Sequence, residues 1–246
     1  MTAVTNALVG RGILLTRSED DCAEWAEEIE RRGARAVLLP CIRSEPLDTL
    51  ELRAALATAL ENANWLVATS RRGVEAVARL RAPHIPLNAR TRVALVGAAT
   101  AAAARALLGR ADLVGSGTAA RLGAALAAGP VKRGARVVLA LAENAGGALE
   151  RVLTSAGASC TRLDVYRTVA APPAARKRAL SSLGAERVLL ASPSAASGFV
   201  HQVELDVPVA IYTIGPSTTA AARALGLDVT AEAREPSFES IWEAMQ

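Results

Sequence analysis

"ILLTRSEDDCAEWAEEIERRGA", residues 13–34, and "VVLALAENAGGALERVLTSAGA", residues 137–158, lie over each other without a gap at an offset of 124 (137 − 13). Glu19 meets Glu143, Ile29 meets Leu153, and Gly33-Ala34 meets Gly157-Ala158. In the first copy the apolar run "GILLT" reads as a buried strand. Cys22, Trp25, Ala26 and Ile29 then recur at helical spacing until Gly33 ends the helix. Two further stretches repeat in register. "LVATSRRG" from Leu66 lies over "VLLASPSA" from Val188 at an offset of 122 (188 − 66), pairing Ser70 with Ser192. "VGAATAAAARALLG" from Val96 returns as "IGPSTTAAARALG" from Ile214, so that Gly97, Thr100, Arg105 and Leu107 reappear as Gly215, Thr218, Arg223 and Leu225. Each offset is close to half of the 246 residues, so the chain reads as one half-chain written twice with small insertions.

Working outward, "WLVATS", "RVALVG" and "ADLVG" are further strands, each leading into an Ala-rich or Arg-rich helix; "ARVVLAL", "RVLLAS", "VPVAIYTIG" and "LDVT" take the same roles in the second half. Strand-helix alternation of this kind implies parallel sheets covered on both faces, an α/β doubly wound fold. Two segments break the alternation: "AVLLPCIRSEP" after the first helix and "CTRLDVYRTVAAPP" at the matching place in the second half. They are longer, alternate in polarity and end in Pro, which suits extended segments that leave one sheet and cross to another. If both halves send a strand across, two domains result, one of them discontinuous.

The totals agree with a globular chain: 51% of the residues are apolar, enough to bury one large or two small cores. Aromatic residues are only 3%, which leaves little ring surface for stacking on bases. The 28 basic against 24 acidic side chains give a net charge of +4, scattered and almost all arginine. That argues against a nucleic-acid partner and suits an anionic small molecule. The longest uncharged stretches, Val188 to Val203 and Val207 to Ala222, carry Pro, Gly and Ser, so no membrane span is expected. The N-terminus shows no apolar signal core, and a cytoplasmic location is expected.

Cys22, Cys41 and Cys160 lack CxxC spacing and read as free thiols. With only His84 and His201 in the chain, a histidine metal site or a Ser-His-Asp triad is hard to build. "GSGTAA" at residues 115–120 satisfies GxGxxA, but the strand before it is short and Glu143 lies too far on to hold a ribose. No GxxxxGK[ST] occurs, so neither a dinucleotide nor a P-loop site is expected.

Hydroxyls stand instead at nearly every strand end: Thr16-Arg17-Ser18, Thr69-Ser70, Gly97 to Thr100, Ser116 to Thr118, Ser192-Pro193-Ser194, Gly215 to Thr219, and Pro236-Ser237. Ligands of open parallel sheets bind beyond these ends. Helix capping alone accounts for any one of these residues, and capping and binding are compatible, because a helix N-terminus offers N–H groups and partial positive charge to carboxylates or phosphates. Tyr166 is the one polar aromatic on a crossing segment. At the 124 offset it meets Ile42, so asymmetric chemistry enters there. Its ring has a packing role open to it, and a phenol, protonated at neutral pH, is also a proton donor.

"ILLTR", "GARAVLLPCIRSEP", "LVATSRRGVEAV", "VALVGAATA", "LDVYRTV", "LLASPSA", "IGPSTTAAARALGL" and "EPSFESIWEAM" resemble, in order, the motifs of the uroporphyrinogen-III synthase family, over essentially the whole chain. The resemblance implies two doubly wound, flavodoxin-like parallel-sheet domains joined by a two-stranded ribbon. On this chain they would be residues 1–39 with 169–246, and 48–158, linked by 40–47 and 159–168. It implies closure of the linear tetrapyrrole hydroxymethylbilane, with loss of water and inversion of the last pyrrole ring, by a monomer without cofactor or metal. Carried over by motif, Tyr166 is the catalytic tyrosine. Arg17, Ser70, Thr100, Ser192, Ser194, Ser217 and Thr218 bind the many-carboxylate substrate, with Thr100 and Thr218 facing one cleft. Two departures stand out: Arg71 where many members have Pro, and Leu141 and Ala142 where many have Arg. A non-catalytic tetrapyrrole-sensing or regulatory protein of the same fold is the alternative, and a periplasmic-type binding protein a third reading.

Overall fold

The computed structural model describes residues 8–81, 87–115 and 117–246. They fall into two compact units: the chain up to Arg43 together with Val169–Gln246, and Ser44–Thr168. The first unit opens with β1 (Gly12–Leu15), α1 (Glu19–Arg31) and β2 (Arg35–Leu38), after which the chain leaves it on β3 (Ile42–Pro46).

The second unit runs α2 (Leu50–Glu61), β4 (Trp65–Ala68), α3 (Arg71–Leu80), β5 (Arg92–Val96), α4 (Ala98–Leu108), β6 (Leu113–Gly115), α5 (Ala119–Ala128), β7 (Arg136–Ala142), α6 (Ala148–Ser155) and β8 (Ser159–Ala170). Its sheet has the order β3-β8-β7-β4-β5-β6, and every pair from β8 to β6 is parallel. Along β4, Leu66 and Ala68 join one core while Trp65 and Val67 join another. Both faces are covered, which is why this strand is a continuous apolar run and not an alternating one.

The chain then returns through β9 (Arg178–Ala179), α7 (Leu180–Leu183), β10 (Arg187–Leu190), α8 (Pro193–Gln202), β11 (Val203–Glu204), β12 (Ala210–Thr213), α9 (Pro216–Ala224), β13 (Val229–Glu232) and α10 (Phe238–Met245). The five-stranded sheet of the first unit has the order β13-β12-β10-β1-β2 and is parallel throughout. Here too adjacent residues part company: Leu14 packs with Val188 and Phe199, whereas Ile13 and Leu15 pack with Leu189, Tyr212 and Trp242.

The crossing strands do not form a free-standing ribbon. β3 and β8 are the edge of the six-stranded sheet, because β8 is hydrogen-bonded to β7 from Ser159 to Tyr166. Where the chain re-enters the first unit, Ala171 N donates to Cys41 O at 2.7 Å, and α8 rests directly on this pair. A Cβ on Gly198 would lie 1.7 Å from that carbonyl oxygen, so only glycine permits the approach. No helix among the described residues is long and apolar enough to cross a membrane.

Candidate active site

In the second unit the sequence "TSRRG" makes a helix start. Ser70 has an extended backbone, and its Oγ accepts from Gly73 N at 3.1 Å, capping α3. Gly73 lets this first turn lie close on β7, since a Cβ there would come within 3.0 Å of Ala140 O. Tyr166 reaches the same turn from β8. The β7–β8 register slips so that Leu141 pairs with Asp164 but Ala142 with Tyr166, which leaves Val165 as an extra residue. Such a bulge re-aims side chains. Val165 and Tyr166, neighbours that a regular strand would point to opposite faces, are both buried in the core that also holds Val74 and Val77 of α3. Tyr166, only 9% exposed, thereby sets its hydroxyl 2.9 Å from Ser70 Oγ. Glu143 N donates to Tyr166 O at 2.8 Å and fixes the backbone at this point.

Beside the tyrosine is a recess of about 190 Å³, lined by Ser44, Arg72, Glu75, Arg79 and Tyr166 among others. The α3 residues lining it, Arg72, Glu75, Ala76 and Arg79, stand at positions i, i+3, i+4 and i+7, one face of the helix. The turn between β7 and α6 is tied down by Arg162, which donates to the carbonyls of Ala142, Glu143 and Ala145 and pairs with Asp164. Leu141 and Ala142 are buried apolar residues of β7.

Thr100 is the third residue of α4, buried, behind an N-cap glycine, Gly97, whose φ is +81°. In the first unit Thr218 is the third residue of α9, also buried, behind Gly215. Neither glycine supplies a side-chain cap; in α9 Pro216 has no N–H and Thr218 N donates to Gly215 O at 3.0 Å, so Ser217 N is the group of that first turn open to another acceptor. Ser217 is exposed at the second position of α9. The turn into α9 is pinned by Thr219, whose Oγ1 donates to the Glu232 carboxylate and lies 2.6 Å from Thr213 Oγ1. A carboxylate only accepts, so Thr213 is the donor to Thr219.

Ser192 caps α8, its Oγ accepting from Ala195 N at 3.1 Å, with Pro193 in the first helical position and Ser194 half-buried in the second. Arg17, at the end of β1, stacks its guanidinium 4.4 Å from the Trp25 ring centroid, and its Nε is buried without a hydrogen-bonding partner among the described residues. β1, β10 and β12 are neighbours, so Arg17, Ser192, Ser194, Ser217 and Thr218 share one C-terminal rim of the first unit. In the second unit Ser70, Thr100 and Tyr166 share another, and Ser70 and Tyr166 are in direct contact. His84 and Ser116 lie outside the described residues.

Among the described residues the three cysteines form no disulfide, and burial, with a smaller contribution from Cys22, pushes the Cys41 thiol up to about 12, so it remains a thiol. Among the described residues no group of three His, Cys, Asp or Glu stands where it could hold a metal ion. Sequence reasoning missed Glu232, Thr213 and Arg162. β13 offers a charged residue at its C-terminal end as a faint signal for the first; nothing local marks the other two.

Over residues 23–243 the chain matches the family model of uroporphyrinogen-III synthase HemD. The chain belongs to the uroporphyrinogen-III synthase family. Among solved structures it is similar to uroporphyrinogen-III synthetase from Helicobacter pylori, at a TM-score of 0.52 and 18% identity, covering 96% of this chain and 98% of that one. It is likewise similar to a mutant uroporphyrinogen III synthase from Thermus thermophilus, at a TM-score of 0.51 and 17% identity, covering 96% and 97%. At these identities the likeness is one of fold. No curated protein matches the chain at a significant level. The activity is that of the family, a lyase of porphyrin and haem biosynthesis that makes uroporphyrinogen III from a small-molecule linear tetrapyrrole.

Proposed function

We propose that this uroporphyrinogen-III synthase closes hydroxymethylbilane chiefly by orientation, with Tyr166 as the single proton donor. The carrying observation is the placement of the Tyr166 hydroxyl at the C-terminal rim of its sheet, 2.9 Å from the Ser70 hydroxyl. The C–O bond of the hydroxymethyl group breaks as Tyr166 gives its proton to the departing oxygen, which leaves as water. The resulting azafulvene is electrophilic and closes unaided to the non-inverted isomer. Held so that attack comes from the substituted carbon of the last ring, it forms a spiro intermediate instead, which opens and recloses inverted. The ring proton lost at the end returns to the Tyr166 oxygen. Orientation of this kind is worth many orders of magnitude, and one positioned acid about 10²-fold.

Arg17 pairs with a substrate carboxylate. Ser192, Ser194, Ser217, Thr218 and Thr100, together with the N-terminus of α3 that Ser70 caps, meet the other acetate and propionate arms through hydroxyls and helix N-termini. No cofactor or metal takes part: electrons of the pyrrole ring expel the hydroxyl once it is protonated. One copy of the chain carries every group invoked, so a monomer suffices, and the cytoplasm is its expected compartment.

The domains are taken as residues 1–39 with 169–246, and 48–158, linked by 40–47 and 159–168, each doubly wound and related by duplication. Strand pairing supports the duplication. Leu14 pairs with Val188 and Val138 with Leu66, the same step displaced by 124 and 122 (138 − 14, 188 − 66). Tyr212 pairs with Ala231 and Ala94 with Leu113, both displaced by 118 (212 − 94, 231 − 113).

Replacing Tyr166 by Phe tests the proposal. A fall of about 10²-fold in kcat, with the product still the inverted isomer, is expected; an unchanged rate removes Tyr166 from the mechanism.

A further inference from the structure

We infer that Ser70 acts through Tyr166 and not on the substrate: it is a positioning residue that hydrogen-bonds the phenol oxygen as its proton leaves. This rests on Tyr166 being the donor, as proposed above. Ser70 Oγ carries one proton. One of its lone pairs already accepts from Gly73 N at 3.1 Å, and its other hydrogen-bonding partner among the described residues is the Tyr166 hydroxyl at 2.9 Å. Two arrangements satisfy the pair. Either Tyr166 donates to Ser70, and the phenol proton is occupied, or Ser70 donates to Tyr166, and the phenol proton is free for a substrate oxygen.

Arrival of the leaving hydroxyl selects the second arrangement, because only then does every proton in the row have an acceptor. The row begins at the N-terminus of α3, a ten-residue helix, whose partial positive charge and Gly73 N–H strengthen Ser70 as a donor. When the Tyr166 O–H bond breaks, the negative charge left on the oxygen faces a hydroxyl that keeps its own proton and is already aimed. The bulge at Val165 and the close packing allowed by Gly73 hold both oxygens in place.

The test combines kinetics with a spectroscopic reading. The chain has two tyrosines, so labelling the phenol carbon with carbon-13 gives one resonance for Tyr166 and one for Tyr212, assigned with Tyr166→Phe. Ser70→Ala should lower kcat about tenfold with KM unchanged and move the Tyr166 resonance, and Ser70→Thr, which keeps both cap and hydroxyl, should restore both. In a Tyr166→Phe background, Ser70→Ala should change kcat less than twofold. Equal losses in both backgrounds, a raised KM with kcat preserved, or an unmoved resonance would overturn the inference. A full rate in Tyr166→Phe alone defeats the donor proposal instead, and the resonance still reports whether Ser70 and Tyr166 are coupled. An altered far-UV spectrum in Ser70→Ala would mark loss of the α3 cap, and Ser70→Thr against Tyr166→Phe then decides.

Discussion

Thr219 on α9 and Glu232 at the end of β13 are joined through the threonine hydroxyl, which also accepts from the buried Thr213. This row of three holds the turn that carries Ser217 and Thr218. Thr219→Val keeps the shape and removes the hydroxyl, leaving Thr213 without its acceptor. A loss of about 1–3 kcal/mol is expected in urea unfolding. KM should rise as the turn loosens, and an unchanged midpoint would show the row to be idle.

Gly198 lies against the Cys41 carbonyl so closely that a methyl group cannot be placed without moving backbone. Gly198→Ala should therefore destabilise the first unit by about 3 kcal/mol or more, read as an early transition in chemical denaturation. Gly146→Ala, where a Cβ meets nothing within 4 Å, is the matched control.

Asp112 accepts from Val93 N at 2.7 Å and pairs twice with Arg110 at 2.8 Å. The Arg110 guanidinium, helped by that N–H, holds its carboxyl below the usual value against an opposing effect of burial. A lowered value in the folded state means stabilisation that is full above the ordinary carboxylate range and lost as pH falls through the folded value. Asp112→Asn should be less stable than the parent at pH 7, and the gap should close in acid. A gap of undiminished size in acid would contradict this.

A mechanism that needs only a proton and orientation has no step for a metal. Protein dialysed against a chelator should keep its full rate, measured as uroporphyrinogen III formed per minute. A loss restored by one divalent cation would require a different chemistry.

Much of the fold was legible because buried parallel strands announce themselves: "GILL", "WLVA" and the "VLL" of β10 are each continuous apolar runs leading to a hydroxyl and a helix. The repeat pointed to matching strand ends, and the contrast of Tyr166 with Ile42 singled out the tyrosine. What pattern could not give was which side chains meet. A period-2 reading of β8 puts Val165 and Tyr166 on opposite faces, and only the slip opposite Leu141 and Ala142 turns both inward. Ser70 and Tyr166 are 96 residues apart, and Thr219 finds Glu232 only because β12 and β13 are adjacent. Register between distant strands is a tertiary property that local periodicity does not encode. Arg162 shows the same limit: Asp164 lies two residues on, but the acceptors by which it ties down the β7–α6 turn are backbone carbonyls with no identity in sequence.

The most direct measurement supplies freshly made hydroxymethylbilane to the purified chain, oxidises the products and separates the uroporphyrin isomers by chromatography. The account predicts isomer III, formed well above the rate without protein. Isomer I alone, at the uncatalysed rate, would contradict it.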